Sequence, residues 1–385
     1  MHRLARLILL GGTLAALIGS LAGPASAANR RAVVGHIYVD DDTAGRNTVS
    51  GFDRLADGSL VPIPGTPFAT GGAGIGSPTG SAGAIQRSTD GRYLLAVDPA
   101  SDDVAVLKVR PSDGSLRLVE RVPSGGRTPI SIAVHGSLVY VANAGAGGSS
   151  YAGFRLNPGG HLRPIAGSTV ALPDTALPGQ VLFSGDGRHL VGTRVGPSAG
   201  PSFIDSFVVG RDGRLTAAPG SPFPAQRIGP FGSQFRPTDP GQLFVSNAHD
   251  GPGLGSVSAY DVAADGTLRP VLGSPFADFQ TAPCWVAISH DGSRLFTVNT
   301  AVSTISGFSI AGDGSLSLAG TTALRGAGLA PFDAALSPDD AFLYVVDAGT
   351  ASISVLAVHG TSLTELAGSP FAVPGGGAPF GMVVD

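Results

Sequence analysis

Gly196-Pro197-Ser198-Ala199-Gly200 matches the Gly-x-Ser-x-Gly nucleophile pattern. That pattern works only on a sharp strand-to-helix turn that presents the serine hydroxyl to a base. Here it lies in a proline-rich stretch with no helical period after it, so it reads as a loop between two strands. Asp40-Asp41-Asp42 is an acidic run, but calcium takes about six to eight oxygens from a spaced Asp/Gly loop, which is missing. A solvated turn is expected there. His249 and Asp250 stand in the glycine-rich "NAHDGPGLG" without further ligands at metal spacing, and are also expected to be solvated. Cys284 is the only cysteine and reads as a small buried hydrophobe. No stretch calls for a cofactor or a metal ion.

Composition limits the possible partners. His2, Arg3 and Arg6 precede an uncharged, mostly apolar run at 7–22, and Ala25-Ser26-Ala27 supplies small residues for cleavage. Residues 1–27 therefore read as a bacterial secretory leader, leaving 28–385 as one mature, secreted domain. Removing the leader takes away two arginines and no acid, so the net charge moves from −4 to −6. No Lys/Arg cluster could follow a phosphate backbone, which argues against nucleic acid. No later run is long and apolar enough to span a membrane. One cysteine makes no internal disulfide, so the fold must stand on its own core.

The elements that would position any site come from a repeat. Gly-x-Leu recurs with leucines at Leu60, Leu116, Leu162, Leu215, Leu268 and Leu316, and once more as Gly-Thr-Ser-Leu at Leu363, spaced 46–56 residues apart, the longest gap being the first. Seven copies at this period predict an all-β, seven-bladed β-propeller with four-stranded antiparallel blades. Ser-x-Asp-Gly hairpins followed by apolar runs, as in "STDGRYLLAVD", mark the first turn and second strand. Pro129, Pro178, Pro230, Pro283 and Pro331 open innermost strands, where a missing N–H costs nothing. "GSPF" at 220–223, 273–276 and 368–371, with "GTPF" at 65–68, is expected to end the outer edge strand. The last residues, "PFGMVVD", read as an innermost strand alone, and "GHIYVDDD" near the start reads as a second strand alone. Paired, they close the ring, which gives no internal reason for anything beyond a monomer.

Two positional sets follow. The residues ending the second strands, Asp41, Asp98, Asn143, Thr193, Asn247, Asn299 and Asp347, should circle one rim, as structural Asx turns or as a polar funnel. The residues two past the inner-strand prolines are Ser131, Gln180, Gly232, Trp285, Asp333 and Gly381. Their variety makes the channel the place to look for a ligand, with Gln180, Trp285 and Asp333 as binding candidates. Trp285 and Asp333 on neighbouring blades could hold a sugar or a cation, or Trp285 could pack between blades.

The blade motif, blade length, copy number and terminal closure resemble the lactonase-type seven-bladed propellers, the 6-phosphogluconolactonase-like family, over essentially the whole mature chain. The resemblance implies a lactone-opening site built from Gly-Pro-Arg-His on one inner strand, Asn-Glu after the next strand, and Pro-His-Pro-His with an Asp-Leu-Gly turn in the preceding blade. Here Gly229, Pro230 and Asn247 match. Phe231 and Gly232 replace Arg and His, Ala248 replaces Glu, and 177–181 and 192–196 retain only Pro178. The resemblance therefore implies the scaffold without its catalytic set. The expected role is an extracellular binding module for a small metabolite, a cell-wall glycan or a protein. The alternative is a lactone hydrolase with a rebuilt site, using Arg194, His249 and Asp250.

Overall fold

The computed structural model describes residues 31–77 and 79–385; the leader expected at 1–27 lies outside them. Seven antiparallel sheets form the ring, each with four strands in radial order. We number the blades by their inner strands: blade 1, Met382–Val384; blade 2, Ile85–Arg87; blade 3, Pro129–His135; blade 4, Pro178–Phe183; blade 5, Pro230–Arg236; blade 6, Pro283–Ile288; blade 7, Pro331–Leu336. Every expected proline is the first residue of its strand. The ring closes as expected: Met382–Val384 pairs antiparallel with Val33–Asp40 through three residue pairs. Among the described residues the only helical element is the 3₁₀ turn Asp174–Ala176.

The hairpin motif explains itself. The Ser88 hydroxyl donates to Asp90 at 2.7 Å and accepts the Tyr93 N–H at 3.0 Å. Gly91 takes the left-handed φ of +71° that the tight turn needs. Ser184, Ser289 and Ser337 repeat both bonds. The second strands are buried on both faces, Tyr93–Asp98 along its full length. They therefore read as continuous apolar runs, not alternating ones.

GSPF does not end the outer strand. In blades 1, 4, 5 and 7 it forms a bulge, after which Phe68–Ala69, Phe223–Pro224, Phe276–Ala277 and Phe371–Ala372 pair again with the third strand. The Ser or Thr hydroxyl fills the gap in the ladder. Thr66, Ser221, Ser274 and Ser369 accept the third-strand N–H of Gly51, Ser206, Ala259 and Val355 at 2.8–3.0 Å. A ladder donor left bare there would lack its partner, which is why the motif carries a hydroxyl beside its glycine and proline.

Candidate functional site

The rim set is a ring of buried fasteners. Asp41, Asp98, Asn143, Asn247, Asn299 and Asp347 are each at most 1% exposed. All but Asp98 bond hydroxyls on their own third strand, as Asn299 Nδ2 does to Ser306 at 2.9 Å and Asp347 Oδ2 does from Ser354 at 2.7 Å. Some bond the segment arriving from the previous blade, as Asp98 does with Thr70 at 2.6 Å. Glycines make room for them: a Cβ on Gly72, Gly126 or Gly375 would lie 2.0–2.6 Å from Asp98, Asn143 or Asp41. In blade 4 the equivalent residue is Arg194 rather than Thr193, because Arg194 is the residue opposite Pro178. It binds Asp205 through Nε and Nη2, both at 2.6 Å, and Tyr151 donates to the same carboxylate. Arg194 is thereby committed to a structural ion pair.

The acidic run is not a solvated turn. Asp40, Asp41 and Asp42 are fully buried, because residues 70–76 and the approach to the last strand fold over them. Asn47 and the Ile75 N–H donate to Asp40 and Asp42 at 2.9 and 2.7 Å. Burial raises the pKa values of Asp41 to about 7 and Asp42 to about 6, opposed by hydrogen bonds. No cluster of three or more His, Cys, Asp or Glu with metal-holding geometry occurs among the described residues. His249 and Asp250 are half-buried instead of solvated, since their loop packs back on the chain entering blade 5. His249 Nδ1 and Asp250 Oδ2 have no partner, and burial lowers the His249 pKa. Ser198 is exposed in a loop that leads into the strand Phe203–Val209. Cys284 is buried, which pushes its thiol up to about 12.

The positions two past the prolines share a role that their differing identities conceal. Ser131 Oγ accepts the Val181 N–H of blade 4 at 3.1 Å. Gln180 Oε1 accepts the Ser233 N–H and hydroxyl of blade 5. Asp333 Oδ2 accepts the Met382 N–H of blade 1 at 3.0 Å. Each is a clasp across a blade boundary, and any side chain with an oxygen at the right reach can make it. Gly232 joins blades 5 and 6 by close approach: its Cβ would meet Cys284 O at 2.6 Å and Trp285 Cα at 2.9 Å.

The mouth of the channel on the proline side is shut. The Phe231 and Trp285 rings meet edge-to-face at 5.4 Å, and Trp285 and Phe332 lie 5.0 Å apart. Ala82, Val195, Ala248 and Leu329 pack around them. Residues 70–77 and 79–84, in the longest gap of the repeat, cross this end as a strap. Trp285 Nε1 donates to Ser81 O at 3.0 Å, Ser131 Oγ to Ala82 O at 2.6 Å, and the Ala82 N–H to Gly179 O at 3.0 Å. Trp285 is 1% exposed, so it packs between blades and offers no stacking face.

Below the strap a cavity of about 300 Å³ occupies the channel and runs to the hairpin end. Gln180, Trp285 and Asp333 all line it, as do Gln86, Gln234 and His290; Arg194, His249 and Asp250 do not. Among the described residues Asp333 is the one carboxyl in its wall, held by the Ala334 and Met382 N–H groups at 2.8 and 3.0 Å. Enclosure raises its pKa to about 7 against those two bonds. Gln86, Gln234 and His290 escaped the sequence reading because they lie beyond the strand starts used to align the blades.

The family model described as "Lactonase, 7-bladed beta-propeller" matches residues 46–166 and 236–380. The chain belongs to this family. The unmatched interval between the two segments holds Phe231, Gly232 and the departing stretches of blade 4. Among solved structures, a Bacteroides uniformis protein classed by name with the 6-phosphogluconolactonases superposes with a TM-score of 0.71 at 20% identity, covering 91% of this chain and 99% of that one. The periplasmic gluconolactonase of Pseudomonas aeruginosa gives 0.70 at 19% identity, with 91% and 98% covered. At such identities the likeness is one of fold. No curated protein matches the chain in sequence.

Proposed function

We propose that this lactonase-family propeller binds a small polar ligand in its central channel, entered from the hairpin side, and does not open lactones at the family mouth. The observation that supports this most is the filled mouth. Phe231, Trp285 and Phe332 occupy the space under the strap, and Gly232 has no room for the side chain that active relatives carry. Lactone opening needs a water activator and a group that holds the developing oxyanion. Arg194 is held by Asp205, which leaves the hydrolase alternative with His249 and Asp250 and the family likeness. The remaining cavity is at the small end of ligand pockets and is walled by amides and one carboxyl. Export by the leader at 1–27 is part of the proposal, and fractionating cells that express the full chain tests it.

The purified mature chain is to be screened for hydrolysis of 6-phosphogluconolactone, gluconolactone and simple five- and six-membered lactones. No turnover above buffer is expected. Turnover lost in His249→Ala or Asp250→Asn would return the chain to the enzymes.

A further inference from the structure

We infer that the channel cavity is a receptor for a hydroxylated primary amine of about monosaccharide size, its ammonium on Asp333 and its oxygens on the side-chain amides of Gln86, Gln180 and Gln234. This rests on the channel-binding reading above and specifies the ligand class.

The hydrogen-bond bookkeeping of the wall sets that chemistry. Gln180 and Gln234 are oriented by their oxygens. Gln180 Oε1 is taken by Ser233, and Gln234 Oε1 accepts the Ile288 N–H of blade 6 at 2.7 Å. With the oxygens fixed, the free ends are amino groups, which only donate. Blades 4 and 5 therefore present donors to the cavity. Gln86 adds a third amide from blade 2; it makes no side-chain hydrogen bond among the described residues and holds no blade. On blade 7, Asp333 gives one lone pair of each oxygen to a backbone N–H and keeps the others for the cavity.

Among the described residues the cavity lining contains no Lys or Arg. An anion would enter without a counter-charge, which is costly in a desolvated site. A neutral polyol would satisfy the amides and donate a hydroxyl to the carboxylate, but would bring it no counter-charge. An ammonium beside hydroxyls matches both walls.

The open, hairpin-side end of the cavity carries a second feature. Asp340 stands where the three Ser-x-Asp-Gly hairpins have Gly91, Gly187 and Gly292, and takes φ +55°. A non-glycine residue pays strain in that region. Its carboxylate accepts both the backbone N–H of His290 at 2.9 Å and the ring Nδ1–H at 2.7 Å. The exposed His290 ring is thus fixed at the edge of the cavity, with Nε2 free to receive a hydroxyl. The charged and titratable groups around Asp333 are few. They are His290 with Asp340 and Arg294 at the open end, Asp347 on the next strand of its own blade, and Asp385 paired with Arg87 where blade 1 ends.

Isothermal titration of the mature chain with D-glucosamine, D-glucose and D-gluconate separates the classes on one skeleton. Glucosamine is expected to bind at least tenfold tighter than the other two near pH 7.5, where its amine, of about α-amino basicity, still carries its proton and Asp333 has lost its own. Its affinity should fall about tenfold per pH unit below pH 7 as Asp333 takes up its proton. Gln86→Met removes an amide that holds nothing else, so it should cost about tenfold in affinity and leave the melting temperature unchanged. Glucose binding as well as glucosamine, with no pH dependence, overturns the amine assignment while keeping the channel as a receptor. Tighter binding of gluconate, no binding of any of the three, or binding unaffected by Gln86→Met also overturns the inference. Only lactone turnover would remove the binding reading beneath it.

Discussion

Asp347→Asn is expected to stabilise the protein, and the gain should depend on pH. Asp347 is completely buried at the end of its second strand; Oδ2 accepts Ser354 and Oδ1 has no partner. Burial, reinforced by Glu365, raises its pKa to about 7. A carboxyl raised in the folded state costs stability once it must ionise. The penalty is absent below about pH 4, grows between there and about pH 7, and is complete above. About three pH units at about 1.4 kcal/mol each give about 4 kcal/mol as a ceiling. Asn143, Asn247 and Asn299 fill the same place in three other blades as neutral amides, so the substitution has a tested shape. Urea titration of wild type and Asp347→Asn at pH 8 should show the variant more stable by about 2–4 kcal/mol, with the difference shrinking steadily to none near pH 3. Asn299→Asp should do the reverse. An equal gain at both ends of the pH range, or no gain at pH 8, would refute the claim that ionisation of this fastener is what the fold pays for.

Three further outcomes follow from the same geometry. Gly232→Ala should cost about 1–3 kcal/mol in urea titration, because its methyl meets the blade 6 backbone; Gly185→Ala, with open space around it, should cost under about 1 kcal/mol. Arg194→Met strands Asp205, 2% exposed at its side chain, and should destabilise by about 3–5 kcal/mol, while Arg194→Met with Asp205→Leu should recover most of it. Trp285→Phe removes the bond to Ser81 O and should speed amide exchange in the strap at 79–83 at a cost of about 1–2 kcal/mol; unchanged exchange there would mean the strap is held without it.

The sequence alone determined the architecture. Seven copies of the Gly-x-Leu turn, one of them lengthened to Gly-Thr-Ser-Leu, the Ser-x-Asp-Gly hairpins, prolines at the strand starts and the two half-blades at the ends specify a closed ring, because local turn chemistry and strand length are written residue by residue. It also showed that Phe231, Gly232 and Ala248 stand where the family's lactonase residues would be. What it could not show is who meets whom across the ring. Ser131, Gln180 and Asp333 look unrelated in one dimension, yet each takes a backbone N–H from the next blade, since a clasp needs an oxygen at the right distance and not a particular side chain. Asp40, Asp41 and Asp42 read as solvated because burial comes from a strap and an end segment far away in the chain. The closed mouth, the donor and acceptor walls of the cavity, and the commitment of Arg194 to Asp205 are contacts between strands separated by loops of their own. Only tertiary packing could decide them.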